Sequence, residues 1–136
     1  MKSRESLIRL KKFQVDEKRR QVTQIETMKA EFNRMASELD EQIIAEQQKA
    51  GIDDITHFAY PTFAKAARQR RDNLLISVRD LDEQLEAAQD QLAEAVEELK
   101  KIEILHERDM ERERQEREAA EQEQLDEIAG RKSRTR

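Results

Sequence analysis

Thirty-one Asp and Glu side chains and two histidines, His57 and His106, are the groups in this chain of 136 residues that could serve as acids, bases or metal ligands; cysteine is absent. Carboxylates become catalysts when a concave, water-poor pocket separates their pKa values. Here they are scattered among 26 Lys and Arg residues, a pattern of solvated helix faces. The two histidines are far apart in sequence, and only His106 with Asp109 has an i,i+3 spacing. That pair is too small for a metal site. With two glycines in the chain, no Gly-rich phosphate loop can be written. No catalytic residue, metal ligand or cofactor is expected. The missing cysteines exclude disulfides and thiolate chemistry and suit a reducing cytosol.

The composition points to elongated structure. Charged residues are 42% and aromatics 4% of the chain, too polar for a thick globular core. Disorder and long helices remain, and two Gly with one Pro favour helices. No stretch approaches the roughly 20 apolar residues of a membrane span, and residues 1–10 lack the apolar run of an export signal. A soluble, unexported chain is expected.

One interruption divides the chain, from Gly51 to Pro61. Gly51 suits the left-handed position that ends a helix, and Pro61 the first turn of the next. A single domain is therefore expected: helix 1 over about residues 4–50, a turn at 51–60, helix 2 over about 61–128 and a basic tail at 129–136. On the first helix, Ile8, Val15, Val22, Ile25, Lys29, Phe32, Ala36, Leu39 and Ile43 mark the seam, alternating three and four from Val22 onward with Lys29 as a polar break. On the second, Leu74, Val78, Leu81, Leu85, Ala88, Leu92, Ala95, Leu99, Ile102 and His106 keep that spacing throughout, the heptad signature of a coiled coil. Beyond His106 the seam positions turn acidic at Asp109, Glu113, Glu116 and Glu123. That segment is either frayed or a helix held by Glu–Arg pairs at i,i+4.

A short connection between long helices favours an antiparallel arrangement. Folding back near residue 56 makes facing residues sum to roughly 112. Residues 1–20 carry eight basic against three acidic side chains, and residues 80–128 carry six against nineteen. In this register Lys11, Lys12, Lys18, Arg19 and Arg20 face Glu94, Glu97, Glu98 and Glu103. Likewise Glu38, Asp40, Glu41 and Glu46 face Lys65, Arg68, Arg70, Arg71 and Arg79. The fold class expected is all-α: an antiparallel two-helix coiled-coil hairpin, monomeric, with the second helix longer and overhanging by about 20 residues.

Partner sites are expected where the repeat fails. Three of the five aromatics, Phe58, Tyr60 and Phe63, crowd the turn with Ile52 and Ile55, either as a cap on the hairpin or as an apolar docking tip; Ala64, Ala66 and Ala67 beside them allow close approach. Leu7, Leu10 and Phe13 lie in a basic amphipathic segment that could meet an anionic membrane, nucleic acid or, more simply, the acidic second helix. Nucleic acid is disfavoured by the net charge of -5.

The segments Leu7-Ile8-Arg9-Leu10-Lys11-Lys12-Phe13, Asp16-Glu17-Lys18-Arg19-Arg20 and above all His57-Phe58-Ala59-Tyr60-Pro61-Thr62-Phe63-Ala64-Lys65 resemble the FliJ family, coiled-coil proteins of the bacterial flagellar type III export apparatus, in alphaproteobacterial form. The resemblance spans nearly the whole chain. It implies an antiparallel coiled coil similar to the stalk γ subunit of rotary ATPases. It also implies insertion into a hexameric export ATPase (FliI-like), contact with an export gate protein (FlhA-like) and association with substrate chaperones. In that picture the protein is cytoplasmic at the base of the apparatus and reaches the membrane only through its partners. The free ends of the two helices enter the ring and the middle or turn meets the gate; the candidate protein-binding residues, Phe58, Tyr60, Phe63, Leu7, Leu10, Phe13, Met110, Arg112 and Arg114, are not divided between the two partners. No catalytic residue is implied. A general coiled-coil scaffold or a hairpin chaperone gripping client proteins is the alternative.

Overall fold

The structure is a computed structural model that describes residues 2–134, with no strand among them. The last two positions of the expected basic tail, 135 and 136, lie outside the described residues. Helix α1 spans Lys2–Ala50 and helix α2 spans Thr62–Arg134, the two packing against each other as an all-α hairpin with the longer helix second. Neither α1 nor the paired length of α2 contains a Gly or internal Pro, so no propensity break interrupts them.

Gly51 adopts a φ of 68°, and the Ile52 N–H then donates to the Gln47 carbonyl at 3.3 Å. This is the Schellman closure of a helix C-terminus. The Lys65 N–H donates to the Pro61 carbonyl at 3.1 Å, the first bond of α2, so Pro61 stands at the helix entry where its missing N–H costs nothing.

The chain forms two compact units, Val15–Glu94 and a second built from residues up to 14 and from 95 onward. In the first, buried Val15, Val22, Ala36, Leu39 and Ile43 of α1 meet buried Ala64, Ala67, Val78, Leu81 and Ala88 of α2. Leu39, Ile43 and Ala67 form its core cluster, with Leu74 packed on them. Each buried Leu, Ile or Val side chain stabilises the fold by roughly 1.5–3 kcal/mol. Ala64 is 0% exposed; a small residue there lets the helices approach closely beside the turn. The seam carries polar members: Lys29 pairs with Asp82 at 2.6 Å and Arg71 donates to Asp40 at 2.8 Å. Both pairs sum to 111, close to the expected register. Lys18 donates to Gln91 at 3.0 Å.

In the second unit Lys11 bonds Glu98 at 3.0 Å, and Arg4 pairs with Asp109 while reaching the Leu105 carbonyl at 3.5 Å. Ile8, Leu99, Ile102 and His106 are half-buried there, and none of its described side chains is fully buried. Past Asp109, residues 110–133 of α2 are helical and exposed.

The charge pairing is narrower than the sequence suggested. Among the named clusters only Lys11–Glu98 and Arg71–Asp40 form bridges between helices. Arg19 and Arg20 pair within α1 with Asp16 and Glu17, Glu38 and Glu46 with Arg34 and Lys49, and Glu97 with Lys101 within α2. Only positions on or beside the seam reach the opposite helix, and these five find partners one turn away.

Candidate protein-binding sites

The turn is densely hydrogen-bonded for its length. Asp54 begins it: its carboxylate accepts from the Thr56 N–H at 2.9 Å and the Thr56 hydroxyl at 2.7 Å. These bonds hold the Asp54 carboxyl below the usual carboxylate range. The Asp54 carbonyl accepts from the His57 N–H at 3.0 Å, and the His57 carbonyl from the Tyr60 N–H at 3.0 Å. Two successive turns thus share His57. Its ring nitrogen Nδ1 accepts from the Ala59 N–H at 3.0 Å, and the ring stacks on Phe58 with centroids 4.7 Å apart.

This arrangement separates the turn aromatics. Phe58 is 97% exposed, and Phe63 and Ile55 are exposed beside it. Tyr60 is 8% exposed, and its hydroxyl accepts from the Gln47 side-chain amide at 2.9 Å. Its ring is therefore withdrawn from any partner, a correction to its place among the docking candidates: a buried phenol with a satisfied hydroxyl closes the hairpin. The buried cap and the exposed ring thus fall on different residues.

In the unit that holds the free helix ends, Leu7, Leu10 and Phe13 are all exposed. They stand off the seam defined by Arg4, Ile8 and Lys11, so the acidic helix does not cover them. Met110 and Arg112 are exposed on α2. Arg114 is held by Glu111 at 3.0 Å and Glu118 at 2.6 Å, which raises its guanidinium pKa and lowers that of Glu111. Ile104 and Leu105 are exposed as well and escaped the sequence reading. The signal was available, since both are large apolar residues one or two positions out of the heptad frame.

No charged or polar side chain is buried among the described residues, and none of their His, Asp and Glu side chains gather as a metal site. No described helix is long and apolar enough to cross a membrane. What the geometry presents is a hydrogen-bonded loop displaying one aromatic ring, and helix ends with uncovered apolar side chains among charges. Such features recognise protein surfaces.

No curated protein and no solved structure matches the chain. The sequence model of the flagellar FliJ protein matches residues 1–136, the whole chain. The chain belongs to the FliJ family and so to the flagellar export apparatus.

Proposed function

We propose that this chain is a non-enzymatic stalk or adaptor of flagellar type III export, engaging the hexameric export ATPase with its free helix ends and the export gate with its turn. The observation that carries the reading is the second unit. There α2 runs on through residues 110–133 without cover, and Leu7, Leu10, Phe13, Ile104 and Leu105 are exposed beside it. An exposed helical segment, next to uncovered apolar side chains, suits insertion into the pore of a ring.

The hydrogen-bonded loop supports the second contact. Phe58 is held outward by bonds that involve Asp54, Thr56 and His57, so a partner pocket receives a preorganised ring at little entropic cost. Substrate chaperones are a further class of partner for the exposed helix faces. The protein acts as a monomer in the cytoplasm at the base of the apparatus.

The test measures ATPase activity of the cognate hexamer with and without the protein, alongside capture of the gate's cytoplasmic domain. Replacing Met110, Arg112 and Arg114 together should remove the ATPase effect and spare gate capture; Phe58→Ala should do the reverse. Unchanged ATPase activity together with no capture overturns the proposal.

A further inference from the structure

The turn contains the same local device twice. The Asp54 carboxylate accepts the N–H of Thr56, two residues on, which is an Asx-turn. His57 Nδ1 accepts the N–H of Ala59, again two residues on. The imidazole thus performs for the second turn what a carboxylate performs for the first. The two differ in one respect: an ionised carboxylate stays an acceptor at neutral pH, whereas Nδ1 accepts only while the ring is neutral, with its proton on Nε2.

We infer that His57 is a protonation switch of the tip loop: the neutral ring locks the second turn and aims Phe58, and the imidazolium releases both. A proton on Nδ1 sets a donor against the Ala59 N–H, so that bond breaks. Phe58, stacked on the ring at 4.7 Å, loses the support that orients it. The first turn is untouched, because Thr56 is held by Asp54. The titratable neighbours in the loop are Asp53, Asp54, whose carboxyl is held below its usual range chiefly by its bonds to Thr56, and Tyr60, whose hydroxyl is bonded to Gln47. On the flanking helices the nearest charges along the chain are Lys49, paired with Glu46, and Lys65. The switch regulates the same tip assigned above to the gate and rests on that reading only for its consequence in binding.

Amide NMR of the full-length protein over roughly pH 5 to 8, where an imidazole changes charge, tests it. The Ala59 amide signal should move with the His57 ring signals. Its exchange with water, corrected for intrinsic pH dependence, should rise roughly two- to tenfold on protonation, as expected for loss of one exposed hydrogen bond. The Thr56 amide should stay flat. His57→Asn retains an acceptor at the same position and cannot titrate, so Ala59 should be protected throughout; His57→Ala should leave it unprotected throughout. An Ala59 amide indifferent to the ring's titration overturns the switch. A second arm measures capture of the gate's cytoplasmic domain at both ends of the range, with His57→Asn as control. Loss of capture on protonation in the unsubstituted protein alone supports the coupled reading. PH-independent capture with a moving Ala59 signal leaves the switch standing and overturns the assignment of the tip to the gate.

Discussion

Gln47 and Tyr60 tie the two sides of the turn together through one residue of α1: the Gln47 carbonyl accepts the Ile52 N–H, and its side-chain amide donates to the Tyr60 hydroxyl at 2.9 Å. One residue closes the helix it ends and anchors the residue that leads into the next. Tyr60→Phe removes this bond and should cost about 1 kcal/mol. Tyr60→Ala leaves a cavity as well and should cost roughly 3–5 kcal/mol. Urea denaturation followed by circular dichroism reads both; a Tyr60→Phe variant as stable as the unsubstituted protein would refute the hydrogen bond's share, and equal losses in the two variants would refute the ring's.

The tight packing beside the turn makes size the governing variable there. Ala64→Leu forces side-chain bulk into a site with no free surface and should destabilise by about 1–3 kcal/mol. Ile43→Ala, in the cluster with Leu39 and Ala67, should cost about 2–5 kcal/mol. The same denaturation midpoints measure both.

Lys29 is the polar member of an otherwise apolar stretch of seam, half-buried and paired with Asp82. A partly exposed pair of this kind contributes about 1 kcal/mol or less, less than burying a leucine there would. Lys29→Leu should therefore raise stability by roughly 1 kcal/mol. A polar seam residue specifies register and partner number at a cost in stability, so sedimentation should show more self-association in this variant than in the unsubstituted protein.

Ile25 and Ala88 lie on the seams of one unit, within two positions of the sum of 111 that Lys29–Asp82 and Arg71–Asp40 show. Cysteines placed at both should crosslink within one chain, read as a faster-migrating monomer on a non-reducing gel. A ladder of crosslinked dimers instead would refute the hairpin.

In the uncovered part of α2 the Arg114 guanidinium keeps the Glu111 carboxyl ionised below its ordinary range, first through their hydrogen bond and then through charge. A carboxyl depressed in the folded state stabilises above its ordinary pKa, and that contribution is lost as pH falls through the depressed value. Arg114→Ala should lower helix content at pH 7, and the difference from the unsubstituted protein should vanish in acid. Far-UV circular dichroism across the two pH values checks the sign.

The long heptad of α2 was legible because its seam residues are almost all apolar from Leu74 onward. The start of α1 was only half legible: Ile8, Val15 and Val22 stood out, while Arg4, Lys11 and Lys18 share the seam without looking like core. Long basic side chains cover the seam with their methylenes and deliver charge to the opposite helix, and periodicity of apolar residues does not register them. Phe58 and Tyr60 carry similar rings two positions apart. Which one turns inward depends on the hydrogen-bonded path from Asp54 to Tyr60 and on the reach of Gln47, relations between segments that no local pattern records. Helix through residues 110–133 was one of two readings; i,i+3 and i,i+4 pairs such as Glu111–Arg114–Glu118 accompany it in the absence of a packing partner.

Every fully buried side chain among the described residues falls between Val15 and Ala88, whereas the pairing of residues 2–14 with 95–109 rests on half-buried methyl groups and ion pairs. The hairpin is thus a zipper with unequal teeth. Amide exchange should slow markedly from the free ends toward the closed loop, as opening free energies follow the density of buried apolar contacts. Added salt should loosen the first segment before the second. Pulling the helix ends apart should therefore open residues 2–14 from 95–109 at lower force than the segment from Val15 to Ala88.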